Sequence, residues 1–262
     1  MNLNLSICVV TYNSDAYIER FQRELRASLD GHSGWEVLYF DNSPTTGTAR
    51  ILRGVCGASE QIFEDSNNHG FSYGSNRLVE RSRFGHILLL NPDVFGFSPQ
   101  FWSDLIRRAT PGTVRFVRLL NEDGTYQDCV GRTSSLSRAF TRSADYAAMT
   151  DPAMVEMGIM AFMLASRAVF DRVGQLDESY PLFGEDMDWC YRANLQNIPL
   201  IYDPGLSLTH IGGASTSTRW TSKDSMRRKY AAERIFINKH YDGWYGMAML
   251  ALNRLKQLRA TL

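Results

Sequence analysis

The first 95 residues alternate short apolar, β-rich runs with stretches of helical period, and few architectures accommodate that rhythm. Ile7-Cys8-Val9-Val10 leads into a helical pattern through Ile18, Phe21 and Leu25, followed by Val37-Leu38-Tyr39-Phe40 and Gln61-Ile62-Phe63. A helix from about Ser72 to Arg81 and the run Ile87-Leu88-Leu89-Leu90 complete the series. Strands that read as continuous apolar runs between helices predict a mostly parallel sheet covered on both faces, an α/β layer architecture. Beyond it, Asp123-Gly124 marks a hairpin, and residues 132–152, rich in Ser, Thr, Arg and Ala with weak periodicity, read as a variable, mobile loop. An apolar run from Ile159 to Ala165 follows, then a helix start near Gly184-Glu185-Asp186, where acids suit the positive end of the helix dipole. Strands around Leu200-Ile201-Tyr202 and Ser207-Leu208-Thr209 precede a helical tail after Arg219. No repeat or low-complexity linker interrupts the chain, so one compact catalytic unit with an appended tail is expected.

Charge narrows the partners. The 28 Lys+Arg equal the 28 Asp+Glu, so no global field favours nucleic acid or an anionic membrane, and no nucleic-acid partner is expected. That balance is a cancellation: residues 219–262 hold ten Lys/Arg against three acids, a net +7 that offsets −7 in residues 1–218. The four cysteines form no C-x-x-C pair, which points to a reducing compartment and neither a disulfide framework nor a zinc site. The N-terminus has no basic region before its strand pattern, and no apolar run approaches the ~20 residues a membrane span requires. A soluble, cytoplasmic protein is the expectation.

Polar residues recur just after the apolar strands: Thr11-Tyr12-Asn13, Asp41-Asn42-Ser43, Asn91-Pro92-Asp93 and Thr209-His210. In open α/β sheets ligands bind outside the carboxyl ends of strands, so these groups are candidates to converge on one crevice, although Asp41-Asn42-Ser43-Pro44 by itself also reads as a turn. In Asn68-His69-Gly70-Phe71-Ser72-Tyr73-Gly74-Ser75-Asn76 the glycines at a loop-to-helix junction allow backbone to approach a phosphate or base. The same segment matches the G-x-S-x-G elbow of serine hydrolases at Ser72, with Asp203 and His210 following in that fold's order. An elbow needs a strand running directly into its serine, whereas polar Ser66-Asn67-Asn68-His69 intervenes here. Asp93 suits a hard cation held against a diphosphate, or equally a turn or helix cap. His210, before Gly212-Gly213, is a metal or phosphate candidate set against a structural histidine. In Glu185-Asp186-Met187-Asp188, Asp188 pairs with Arg192 at i,i+4, while Glu185 and Asp186 are either dipole-favoured surface acids or a general base tuned by burial and neighbouring charge.

Taken in order, Ser6-Ile7-Cys8-Val9-Val10-Thr11-Tyr12-Asn13-Ser14, Asp41-Asn42-Ser43, Asn68-His69-Gly70-Phe71, Leu90-Asn91-Pro92-Asp93-Val94, Gly184 through Arg192 and His210 through Ser215 resemble family 2 glycosyltransferases of the GT-A fold. The similarity is to the branch that includes bacterial rhamnosyltransferases and galactofuranosyltransferases of polysaccharide and O-antigen synthesis, and it spans residues 5 to about 215. It implies a GT-A, Rossmann-like fold with a mixed, mostly parallel central sheet and a helical C-terminal tail. Residues 1–218 would form the transferase domain, with 1–95 as the nucleotide-binding half and 96–218 as the acceptor and catalytic half. The implied activity is inverting transfer of a hexose from a nucleotide diphosphate sugar to an acceptor hydroxyl. Thr11, Tyr12, Asn13, Asp41, Asn68, Gly70 and Asn91 would hold the nucleotide, and Asp93 and His210 a Mg2+ or Mn2+ ion. Asp186, beside Glu185, would be the catalytic base, and Gly158 and Trp189 would meet the acceptor.

Two departures stand out. Asn91-Pro92-Asp93 keeps one carboxylate of a D-x-D, and Val155-Glu156-Met157-Gly158-Ile159-Met160-Ala161 replaces the usual acceptor-side sequence. The branch implies dTDP-rhamnose as donor, with UDP-hexose or UDP-galactofuranose as alternatives, and a glycan acceptor linked to polyprenyl diphosphate. In the tail, Trp244, Ala248, Ala251, Leu252, Leu255, Leu258 and Leu262 share one helical face, flanked by Arg254 and Lys256 and broken by Arg259. Such a helix either lies peripherally on the inner face of the cell membrane or packs on the catalytic domain or a homodimer partner. A non-catalytic scaffold subunit and the Ser72 hydrolase are the alternatives of a different class; intact Asp93, Asp186 and His210 speak against the scaffold.

Overall fold

The computed structural model describes residues 1–133, 135, 144–212 and 222–261. The N-terminal half runs β1 (Asn2–Thr11), α1 (Ile18–Leu29), β2 (Ser33–Asp41), α2 (Gly47–Val55), β3 (Glu60–Glu64), α3 (Phe71–Arg81) and β4 (His86–Leu90). Next come β5 (Val94–Phe95), α4 (Pro99–Arg108), β6 (Val114–Leu120), β7 (Val130–Gly131), β8 (Ala153–Val155), β9 (Met157–Gly158) and β10 (Phe162–Ser166). The chain closes with α5 (Arg167–Val173), α6 (Glu185–Leu195), β11 (Leu200–His210), α7 (Ser222–His240) and α8 (Gly243–Thr261).

Among the described residues one sheet of nine strands has the order β3-β2-β1-β4-β10-β6-β11-β5, with β8 also on β11. β1, β2, β3 and β4 pair in parallel, whereas β10 is antiparallel to both β4 and β6. β2 and β4 flank β1 on opposite sides, so the chain reverses its winding at β1 and a crevice opens beyond the carboxyl ends of β1 and β4. Ile7, Val9, Leu38, Leu88 and Leu90 are fully or almost fully buried between the helical layers. Each such side chain contributes roughly 1.5–3 kcal/mol of transfer free energy. α1 covers one face through Ile18, Phe21, Leu25 and Leu29, spaced at 3, 4 and 4 residues, so one stripe meets the sheet.

The two stretches read as separate strands near residues 200 and 208 are a single strand, β11. Its register against β6 shifts between Asp203 and Ser207. Asp203 is fully buried there, held by Arg108 at 3.0 Å and Arg115 at 2.8 Å, and the shift leaves Asp203 facing those cations. The Asp123-Gly124 turn lies in a hairpin closed by a bridge between Leu120 and Tyr126. Within the expected loop 132–152, residues 134 and 136–143 lie outside the described residues, as do Gly213 to Thr221 and Leu262.

The tail is not an appendage. Ala232 and Phe236 of α7 are buried against Tyr180, with Phe183, Met187 and Tyr191 packed around them. His240 reaches Asp188 of α6 at 2.7 Å. α8 folds back on α7 through buried Met249 and Asn253, whose Nδ2 donates to Glu233 at 2.7 Å. Among the described residues no helix is long and apolar enough to cross a membrane.

Candidate active site

A cavity of about 800 Å³ opens beyond the carboxyl ends of β1 and β4, large enough for a bound nucleotide and a sugar. Val10, Thr11, Tyr12, Asn42, Asn68, Gly70 and Phe71 line one end. Gly70 sits at φ +90 and caps α3, a conformation that favours glycine and turns the loop toward the cavity. Asn42 Nδ2 donates to the Gly70 carbonyl at 3.0 Å, which joins the two loops, and Asn42 Oδ1 is buried without a protein partner. Such an orphaned acceptor in a cavity wall is suited to a ligand donor.

Two residues expected at this end stand behind it. Asp41 is 2% exposed, and its Oδ1 accepts from Thr11 Oγ1 at 2.9 Å and Ser43 Oγ at 2.6 Å, so it braces Thr11 and does not line the cavity. Asn13 is exposed at φ +49, its amide bound to Ser43 Oγ at 2.8 Å, and it too stays off the cavity wall.

The middle of the cavity is lined by Asn91, Pro92, Asp93 and His210. β11 pairs antiparallel with β5 at His210 and Val94, and this register brings His210 Nε2 to 3.2 Å from Asp93 Oδ1. Asn91 Nδ2 lies 3.5 Å from the same ring nitrogen. Asp93 and His210 are 6% and 7% exposed, so the pair faces the cavity and little else. An imidazole nitrogen and a carboxylate oxygen in this arrangement could hold a divalent cation. Among the described residues no cluster of three His, Cys, Asp or Glu exists, so further ligands would come from diphosphate oxygens or water.

The far wall carries Glu185 and Asp186 at the start of α6, where Gly184 at φ +92 turns the chain into the helix. Burial, then the Asp186 charge, push the Glu185 carboxyl up to about 8, and its Oε2 has no hydrogen-bond partner. Burial also raises Asp186, but the Met187 amide, which donates to its Oδ1 at 2.7 Å, and the Lys229 charge oppose that rise. Burial thus raises both adjacent carboxyls, and Asp186 alone of the two has the Met187 amide and a cation to favour its charged form. Lys229, Ala232 and Glu233 of α7 and Pro181 to Phe183 complete this wall.

Two expected acceptor contacts are corrected, and the hydrolase alternative fails. Trp189 is fully buried, its Nε1 donating to the Gly174 carbonyl at 2.9 Å, so it packs beneath the site and is out of an acceptor's reach. Gly158 is also buried, and a side chain there would run into Phe116. The hydrolase triad does not assemble: β3 ends at Glu64, Ser72 is inside α3 with a buried, unpartnered Oγ, and Asp203 is committed to Arg108 and Arg115. Asn42, Gln127, Phe183, Lys229 and Glu233 line the cavity without having been singled out. Only Asn42, inside a flagged motif, carried a sequence signal.

The chain is similar in sequence and in fold to known proteins. A low-salt glycan biosynthesis hexosyltransferase of Haloferax volcanii is 28% identical over 209 residues, 74% of this chain and 63% of that protein. An O-antigen biosynthesis protein of Myxococcus xanthus is 26% identical over 68% of this chain and 15% of its own length. A rhamnosyltransferase of Escherichia coli is 32% identical over 88 residues, 31% of this chain and 33% of that one. The chain thus spans less than two thirds of each of these relatives. Among solved structures, a mannosyltransferase of Pyrobaculum calidifontis in complex with GDP-Man and Mn2+ superposes with a TM-score of 0.64 at 13% identity, covering 97% of this chain and 69% of that one. The S. aureus protein TarS, residues 1–349 in complex with UDP-GlcNAc, gives 0.59 at 16% identity, covering 97% and 71%. These likenesses show the GT-A fold, with its mixed, mostly parallel sheet. The family model described as glycosyltransferase like family 2 matches residues 3–232, from β1 through the cavity-lining part of α7, and the chain is a member of glycosyltransferase family 2.

Proposed function

We propose that this glycosyltransferase moves a hexose, with inversion, from a nucleotide diphosphate sugar to a hydroxyl of a growing cell-surface glycan. The observation that carries the reading is a single cavity that joins the β1 and β4 strand ends, the Asp93–His210 pair and the Glu185–Asp186 pair. Thr11, Tyr12, Asn42, Asn68 and Gly70 hold base and ribose, with Asp41 bracing Thr11 from behind. A Mn2+ or Mg2+ ion held by Asp93 and His210 would neutralise the charge of the departing diphosphate. Asp186 takes the proton of the acceptor hydroxyl as its oxygen bonds to the anomeric carbon and the bond to the diphosphate oxygen breaks on the opposite face. Glu185, kept neutral by burial and the Asp186 charge, adds no second negative charge beside the base.

dTDP-rhamnose is the first candidate donor, supported by the E. coli rhamnosyltransferase among the relatives, with UDP-hexose and UDP-galactofuranose behind it. The neighbours solved with GDP-Man and with UDP-GlcNAc support a nucleotide sugar as the donor class. Residues 1–95 supply the nucleotide half and 96–218 the catalytic half, while α7 adds to the acceptor wall. The test is release of UDP or dTDP from a panel of nucleotide sugars by the purified full-length chain with Mn2+ or Mg2+. Turnover of one donor is expected, and no release and no thermal shift with any nucleoside diphosphate would remove the reading.

A lipid-linked acceptor and a peripheral position on the cytoplasmic face of the membrane fit α8. Trp244, Met247, Leu255 and Leu258 are more than half exposed, Ala251 is exposed between them, and Arg254 and Lys256 carry the flanking charge. The chain is expected to co-sediment with vesicles containing anionic lipid, and the double variant Trp244→Ser, Leu255→Ser to stay in the supernatant with activity on soluble acceptors intact. Equal sedimentation of both would exclude the α8 face.

A further inference from the structure

The Asp123-Gly124 hairpin has no part in the chemistry above, yet it ends beside the cation pair. Its turn is tightly specified: the Asn121 amide donates to the Thr125 carbonyl at 2.8 Å, Gly124 takes φ +80, and Asp123 Oδ1 accepts from the Thr125 amide at 2.9 Å and hydroxyl at 2.6 Å. Asn121 Nδ2 is used within the hairpin, donating to Thr125 Oγ1 at 2.9 Å, which leaves its Oδ1 turned outward as an acceptor. Gln127 follows the turn, its amide bonded to the Leu119 carbonyl at 2.9 Å, and its side chain reaches across to β11.

There the Gln127 amide is oriented by its donors. Nε2 donates to Asn121 Oδ1 at 3.1 Å and to the His210 carbonyl at 3.3 Å. A flipped amide would face both acceptors with its own oxygen. Oε1 is consequently the atom that meets His210 Nδ1, at 2.6 Å. An amide oxygen only accepts, so Nδ1 carries the hydrogen and the neutral ring keeps its lone pair on Nε2, the nitrogen 3.2 Å from Asp93 Oδ1. Gly212, at φ +65, has its absent Cβ 3.0 Å from Gln127 Nε2, so a larger residue there would push the amide away.

We propose that Gln127, carried on the 120–127 hairpin, is a positioning residue for the cation centre, holding His210 as the Nδ1–H tautomer with Nε2 directed to the ion beside Asp93. The proposal rests on the reading that Asp93 and His210 hold a divalent cation. A histidine ligand whose second nitrogen is held this way keeps its ring orientation and basicity, and loss of such a partner commonly weakens metal binding by about 10–100-fold.

The test has two readouts that do not require turnover. Long-range 1H–15N NMR of the full chain at about pH 8.5 reports the tautomer of each of the five histidines, with His210 assigned by its absence in His210→Gln. Mn2+ titration in the presence of UDP, followed by electron paramagnetic resonance, reports affinity. Gln127→Leu is expected to lose the pure Nδ1–H signature and bind Mn2+ about 10–100-fold more weakly. Gln127→Glu, which retains an acceptor for Nδ1 but sets a second oxygen against Asn121 Oδ1 and the His210 carbonyl, is expected to keep the Nδ1–H signature. An Nε2–H tautomer in the native chain, or a Gln127→Leu variant unchanged in both readouts, overturns the proposal. The two failures differ: a native chain that takes up no Mn2+ removes the cation reading and this proposal with it, whereas native Mn2+ binding that Gln127→Leu leaves unaltered removes the proposal alone.

Discussion

Asp186→Asn is expected to lower kcat by about 10³-fold while leaving nucleoside diphosphate binding and the fold intact, since positioned general bases contribute roughly 10²–10⁴-fold. The substitution keeps the shape of the side chain and an oxygen for the Met187 amide, so what it removes is the ability to take a proton. Nucleotide binding survives because Thr11, Asn42 and Gly70 lie at the other end of the cavity. Glu185→Gln is the internal control. Glu185 is protonated below about 8, and glutamine resembles its neutral form, so at pH 7 this variant should lose less than tenfold. Stability separates the pair as well. The Glu185 carboxyl ionises near 8 when folded and near ~4.3 when unfolded, so folding carries no penalty from it below ~4.3, and the penalty grows as pH rises toward 8. Glu185→Gln should therefore raise the melting temperature by several degrees at pH 8.5 and leave it unchanged at pH 4, measured by scanning fluorimetry. If Glu185→Gln fell as far in kcat as Asp186→Asn at pH 7, the assignment of base and neutral acid would be reversed.

The parallel half of the fold was legible because its inner strands β1, β2 and β4 are largely buried on both faces and so contain unbroken apolar runs, as in Ile87 to Leu90, while the edge strand β3 is not. The polar residues ending those strands were legible for the same reason: the crevice lies where the apolar runs stop. The choice between neighbours was not legible. In Asp41-Asn42 the charged residue was the natural candidate, but Asp41 is the last residue of β2, pairs in register with Thr11 and turns beneath it, while Asn42 enters the loop and reaches the cavity. On α6 the failure has a helical cause. Glu185 and Trp189 are one turn apart on the same stripe, and the helix runs inward, so the first faces the cavity and the second the core. α4 was missed although Ser98, which accepts from the Phe101 amide at 3.1 Å, and Pro99 form a helix-start signal. The role of α7 was hidden by its charge: the residues that meet the catalytic domain, Ala232, Phe236 and His240, lie on a helix that carries six of the ten basic residues behind the tail's net positive reading.

Asp188→Ala is expected to produce the largest loss of stability of any single substitution near the site, about 3–5 kcal/mol, the usual cost of removing one partner from a buried ion pair. Asp188 is 1% exposed and lies two residues after the proposed base. Its Oδ2 accepts from Arg192 Nε at 2.8 Å, and its Oδ1 from His240 Nε2 at 2.7 Å and the Tyr180 hydroxyl at 3.3 Å. One carboxylate thus ties the catalytic helix to its own second turn, to the loop before it and to the far end of α7. Arg192 retains the Val173 and Gln175 carbonyls at 2.8 and 2.9 Å, so the guanidinium stays satisfied and the damage falls on the junction with α7. At ~2–4 °C per kcal/mol for a chain of this size, the melting temperature should drop by about 10 °C. α7 supplies Lys229, Ala232 and Glu233 to the cavity wall, the acceptor side in the proposed reading, so surviving enzyme should show a raised KM for the acceptor and an ordinary KM for the donor. Asp188→Asn preserves the side-chain oxygen that Tyr180 and His240 donate to and should lose less than half as much. Lys239→Ala removes only a partly exposed contact with Asp177 and Ser179 at the same end of α7 and should cost under ~1 kcal/mol. A drop of less than 2 °C for Asp188→Ala, or donor and acceptor KM values that move together, would mean that α7 is held by its apolar face alone and that Asp188 does not couple it to the site.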